Sequence, residues 1–333
     1  SYFGLVPAAI SGIDISVLSA SARSMEESCE PHIASDDNPG LWLGAVMASL
    51  AQSGRDKLTL VTSNSLSGFG LWVEQLIAES LGKDSKGIVP VTGEPLVDTS
   101  HYGDDRAFVF LRLTGEESPE LDEAQSRLES AGHPMVIYTL GDLHDLGGEF
   151  YRWEFATAVA GHILGVQPFN QPNVQQAKDL TETELSTFQE TGTVPDNAPV
   201  GSLTTLLESS KSGDYLAILA YIEETVKSNR LFDQLRRRII ERTGIATTLG
   251  YGPRYLHSTG QLHKAGPNSG LFLQVTFADT LDIEVPGEQY TLKILADAQS
   301  AGDGGALSSG NCRFARVVLS NESALESLIS ELE

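Results

Sequence analysis

KLTLVTSNSLSGFGLWVEQLIAESLGK, residues 57–83, changes its period part-way along. Leu58 and Leu60 alternate, with Val61 following, as in a strand. Ser63, Asn64, Ser65, Ser67 and Gly68 make a polar turn. Leu71, Val73, Leu76 and Ile77 then recur at helical spacing, with Trp72 alongside. Strand, loop and helix in that order are the unit of an α/β sheet. In an open parallel sheet the loop at the strand's carboxyl end and the helix start after it turn free N–H groups toward anions, so Ser63 and Ser65 are candidate ligands. Glu79 closes the helix beside Ser80, Gly82 and Lys83. An isolated glutamate there is most often a solvated carboxylate.

A chain of 333 residues is long enough for two cores, and 41% hydrophobic with 20% charged residues is ordinary globular composition. The formal net charge of −23 argues against nucleic acid or an anionic membrane as general partners, so an anionic ligand needs a locally basic site. Lys83, Lys86, Lys178, Arg254 and Lys264 are the bases nearest the informative loops. The two cysteines, Cys29 and Cys312, lie far apart in no metal-ligand spacing, which fits a reducing cytoplasm. No apolar run approaches ~18 residues, and the start lacks a leader pattern. The chain begins without methionine inside an apolar helix-like segment, as a piece of a longer protein would.

Working outward, Asp37–Ser53 opens with Asn-Pro and carries Leu43, Val46, Met47 and Leu50 at helical spacing. Strands follow at 57–62, 87–92, 107–113 and 134–140, with helices at 69–82, 119–131 and 149–164. This alternation predicts a doubly wound parallel sheet covered on both faces. Residues 181–203, polar and rich in Thr, Gly and Pro, read as a linker or peripheral loop. A second, smaller α/β domain then follows, with strands at 215–222, 245–250, 271–277 and 313–319 and helices at 228–243, 290–300 and 322–332. In its first helix, Arg236-Arg237-Arg238 read as solvent-facing or paired with acidic groups. The expected organisation is a helical lead-in over 1–35, a first α/β domain over 36–180, the linker over 181–203 and an extension over 204–333.

EQLIAESLGKDSKGI resembles the E-S-x-G-K signature of glucose-6-phosphate isomerases, in the bacterial form that continues D-x-K-G-I. That resemblance implies a sugar-isomerase (SIS-type) fold and makes Glu79 the catalytic base. LGVQPFNQPNVQQAK, 164–178, is similar to the family's L-G-V-N-P-F-D-Q-P-G-V-E-x-x-K block and makes Lys178 the lysine near the sugar ring oxygen. His101, in DTSH twenty-two residues after Glu79, matches the ring-opening histidine in order and spacing, although the surrounding text departs from the family. The bland readings are a surface lysine and a loop histidine.

LGYGPRYLHSTGQLHKAGPNSG, 249–270, resembles the carboxyl-terminal extension of bacterial fused transaldolase/phosphoglucose isomerases. Arg254, His257, His263 and Lys264 in it are candidates for a phosphate or sugar hydroxyl, equally for packing, and His263 stands in reserve behind His101. The opening run SYFGLVPAAISGIDI is similar to the family's link between its two isomerase domains. It implies an absent upstream domain carrying a phosphate loop and an arginine, with a transaldolase domain of the same polypeptide as a further implied partner. The implied substrate is a sugar phosphate, with no cofactor or metal, in the cytoplasm, and a homo-oligomer is among the implied assemblies. The competing expectations are a non-catalytic phosphosugar-binding module, or a structural extension in which 204–333 replaces a partner subunit.

Overall fold

Two four-stranded parallel sheets organise the chain. The computed structural model describes residues 2–170, 174–194, 199–278, 282–310 and 312–332, with the backbone alone for 174–180. Helices α1 (Tyr2–Ile10) and α2 (Ile15–Ser28) lead to α3 (Pro39–Gln52). Asn38 starts α3 by accepting a hydrogen bond from the Leu41 amide, with Pro39 fixing the first turn. The first sheet then runs β1 (Lys57–Thr62), α4 (Ser67–Leu81), β2 (Val89–Thr92), β3 (Arg106–Leu113), α5 (Pro119–Ser130), β4 (Met135–Leu140) and α6 (Leu146–Leu164). After α7 (Val174–Thr191) come α8 (Leu203–Glu208), β5 (Tyr215–Tyr221), α9 (Val226–Thr243), β6 (Ala246–Tyr251), α10 (Gly260–Ala265), β7 (Gly270–Phe277), α11 (Leu292–Ser309), β8 (Arg313–Leu319) and α12 (Leu325–Ser330).

The strand orders are β2-β1-β3-β4 and β6-β5-β7-β8, so the second sheet repeats the permutation of the first. The reversal of order at each central strand puts successive crossover helices on opposite faces. In the first half, Leu43, Val73, Ile77 and Trp153 from α3, α4 and α6 fill one face, against Leu60, Val109 and Leu111. On the other face Phe108 and Phe110 meet Tyr102, Leu128 of α5 and Ile240 of α9. That alternation along β3 is the two-residue period of a strand buried on both sides.

The halves meet through an apolar seam and a buried ionic knot. Ala78, Val89 and Val91 pack with Tyr215, Leu219, Tyr255 and Leu262. Arg106 donates to Glu94 at 2.7 Å, and the other Glu94 oxygen accepts from the Thr247 amide at 2.7 Å and hydroxyl at 3.0 Å. Arg236, only 2% exposed, donates to the carbonyls of Gly93, Thr92 and Thr247. This corrects, for Arg236, the reading of the arginine run as solvent-facing or paired with acidic groups. Arg238 is exposed as expected, whereas Arg236 falls on the buried stripe with Leu235 and Ile239.

Two further differences concern helices. The expected loop over 181–203 is helical as far as Thr191. Its Ser and Thr hydroxyls, which favour turns in isolation, donate to carbonyls four residues back, as from Thr187 to Thr183 and Ser186 to Glu182. The helix is kept by packing along α11. α11 itself runs to Ser309 through Gly302, Gly304 and Gly305. The glycines cost helix propensity, and the buried Gly302 and Gly304 lie in a helix held by its packing against α7 and β8.

Candidate functional site

Glu79 sits in the last turn of α4, half-buried, with Gln75 Nε2 3.4 Å from its Oε2. Downstream, Lys83 donates to the Gln167 carbonyl at 2.6 Å and Lys86 to the Leu164 carbonyl at 2.9 Å. Those carbonyls lie at and just beyond the carboxyl end of α6, where main-chain acceptors lack intrahelical donors. Burial lowers the pKa of Lys83, opposed by the charges of Asp84 and Glu79. The E-S-x-G-K stretch and the start of the 164–178 block are therefore one local structure. Lys83 is held as its tie, with its ammonium committed to a carbonyl. Lys178 lies in α7, and its side chain is outside the described residues.

Ser63 and Ser65 precede the opposite end of α4. Fifteen helical residues span about 22 Å, so these serines lie about a helix length from Glu79. Ser63 Oγ accepts from the Leu113 amide at 3.0 Å, and the Ser65 amide donates to the Glu116 carboxylate at 3.3 Å. The loop thus turns an amide to an internal carboxylate. His101 ends a short 3₁₀ turn, Thr99–His101, that packs beside α9. Its neighbour Tyr102 lies in the cluster with α5 and α9, across the sheet from α4. His101 thus stands beside α9, on the side of the sheet where Tyr102 packs.

The 249–270 stretch divides its polar groups. Arg254 and His257 point outward, Arg254 pairing with Glu224 at 3.3 Å. His263, 7% exposed, lies against Phe272 with ring centroids 5.2 Å apart. Burial drives its pKa down to about 3, so the ring is neutral. Lys264 pairs at 2.6 Å with Asp303, which also accepts from the Tyr255 hydroxyl at 2.5 Å. Of the two expectations for this stretch, ligand binding or packing, His263 and Lys264 follow the second, being built into the interior of the second half.

Three residues escaped the sequence reading. Glu74 faces the seam at 6% exposure, and burial pushes its pKa up to about 8 despite Arg236 and Arg254. The signal was a charge on the apolar stripe, between Gly70 and Ala78. For Asp303 the signal is an acid set between Gly302 and Gly304 in the small-residue run of α11. Gln261, buried, donates to the Gly82 carbonyl at 3.1 Å. Nothing in the sequence distinguished it from a surface glutamine.

No family model matches the chain. It is 31% identical over 221 residues to a glucose-6-phosphate isomerase from Rubrobacter xylanophilus, covering 55% of this chain and 50% of that protein. Glucose-6-phosphate isomerases from Leptospira biflexa and Staphylococcus saprophyticus are each 27% identical over 213 residues, covering 53% of this chain and 47% and 48% of theirs. The chain spans about half the length of the curated relatives it matches. Among solved structures, the carboxyl-terminal domain of glucosamine-fructose-6-phosphate aminotransferase from Francisella tularensis aligns with 95% of this chain and 89% of its own, at a TM-score of 0.29 and 10% identity. Among the described residues, no helix is long and apolar enough to cross a membrane.

Proposed function

We propose that the chain is the base-bearing part of a sugar-phosphate isomerase that interconverts glucose 6-phosphate and fructose 6-phosphate. What supports the reading is the position of Glu79, a half-buried carboxylate beside Lys83 in the stretch that ties α4 to the 164–170 segment. The names of the relatives agree with it. Aldose–ketose isomerisation moves one proton between adjacent carbons through an enediol. A single carboxylate within ~3 Å of both carbons can take the proton from one and return it to the other. Glu79 fills that role, and Lys178 assists ring opening.

His101 lies across the sheet from α4, so in this reading it reaches a Glu79 site only from a second copy of the chain. The sugar phosphate is held by groups other than Ser63 and Ser65. A second reading, that residues 204–333 act as structural support, is favoured by the packing of Leu262 on Ala78. The test is Glu79→Gln. We expect turnover on fructose 6-phosphate to fall by about 10²–10⁴-fold, with loss of solvent exchange at carbon 2. Parent-like turnover and exchange would sink the assignment.

A further inference from the structure

We infer that Gln261, contributed by the carboxyl-terminal half, is a positioning residue for Glu79. The inference rests on the reading of Glu79 as the base. The last carbonyls of a helix lack intrahelical donors, and a final turn with no outside partner frays. In α4 that turn carries Glu79 and ends at Gly82, whose carbonyl accepts the buried Gln261 amide at 3.1 Å.

The approach of α10 is too close for any side chain at the junction. A Cβ on Gly82 would lie 2.5 Å from Leu262 Cα and 2.7 Å from the Ala78 carbonyl oxygen. Beyond it, Asp84 and Ser85 have φ of 56° and 60°, a left-handed conformation that non-glycine residues rarely hold unaided. The Ser85 amide donates to the Ala265 carbonyl at 3.0 Å, so α10 grips the turn at both of its own ends.

α10 is in turn fixed to the second sheet. The Lys264–Asp303 pair, the Tyr255 hydroxyl on Asp303 and the His263 ring against Phe272 hold its inner side. A continuous line of packed and hydrogen-bonded groups thus runs from the core of the second half to the turn bearing Glu79. Gln261 is the polar side-chain link to Gly82, beside the main-chain bond from the Ser85 amide to the Ala265 carbonyl. Proton transfer demands close positioning of the base, so a looser final turn slows the chemical step more than it weakens substrate binding.

The test is Gln261→Leu in the intact protein, which keeps side-chain bulk and removes the donor, with Gln261→Met as a second variant should the first not fold. Three readouts are taken: kcat and KM on fructose 6-phosphate, and amide exchange across 82–86. The expected result is a kcat lower by about 10- to 100-fold with KM within about twofold. Exchange across 82–86 should be about tenfold faster. A folded variant with parent kcat overturns the inference, and so does unchanged exchange. Glu79→Gln is run in parallel. If it turns over normally, the reading of Glu79 fails; in that case, and equally where the parent shows no turnover, the exchange data alone decide whether Gln261 holds the turn.

Discussion

Replacing Glu74 by Gln removes an ionisable group from the seam between the halves while keeping its shape. In the folded protein the carboxyl holds its proton up to about 8, against an ordinary value of 4.5, because burial penalises the anion more than Arg236 and Arg254 favour it. Below pH 4.5 folded and unfolded states are both protonated and the group is neutral to stability. As pH rises from there, the unfolded chain gives up the proton while the folded chain keeps it. Stability then falls by about 1.4 kcal/mol per pH unit and levels off above pH 8, a total of about 5 kcal/mol. At 6% exposure solvent screening does little to reduce the figure. Urea unfolding of parent and Glu74→Gln at pH 4.5, 6.5 and 8.5 isolates this contribution, because every other titrating group is common to both. The curves should coincide near pH 4.5, and the variant should be the more stable by several kcal/mol at pH 8.5. If the two proteins lose stability in parallel over that range, the carboxyl is ionised and solvated in the folded state, and the account of the seam is wrong.

Glu94→Leu strands Arg106 without its carboxylate, and should cost about 3–5 kcal/mol in urea unfolding, whereas the double variant with Arg106→Met should recover much of that loss. Lys264→Met should destabilise by a similar amount, because Asp303 keeps only the Tyr255 hydroxyl, and pairing it with Asp303→Leu should restore stability. If His101 acts across a two-fold interface, Glu79→Gln and His101→Ala are each inactive alone. An equal mixture refolded together should then regain roughly a quarter of parent turnover, since half the dimers are mixed and each has one intact site. No recovery would restrict the site to one chain. Gly82→Ala should lower stability by about 1–3 kcal/mol on thermal melting, because the backbone of α10 must move.

The strand–loop–helix stretch at 57–83 carried most of the architecture. Alternation at Leu58 and Leu60, followed by the helical repeat from Leu71, predicts β1 and α4, and the same logic finds the eight strands among the described residues within a residue or two. Side-chain period is imposed locally by helix and strand geometry, so it is legible without a fold. Where tertiary contacts outweighed local preference, the reading failed. The Ser/Thr-rich run before Thr191 and the glycines of α11 are poor helix formers kept helical by each other's packing.

The candidate site was legible only as a set of motifs. The resemblance singled out Glu79, Lys83, the 164–178 block and the TGQLHK stretch, and the sequence set them on a strand-ended loop, a helix end and connecting segments. Only the folded chain decided which of them meet. Through space, Gln261 of TGQLHK holds the Gly82 end of α4, and Lys83 reaches the Gln167 carbonyl. Ser63 lies a helix length from Glu79, and His101 lies across a sheet. Chain order fixes the separation of residues along an element, but crossover helices alternate between faces. Neighbours in sequence are thereby divided, and residues almost two hundred positions apart, Gly82 and Gln261, are joined.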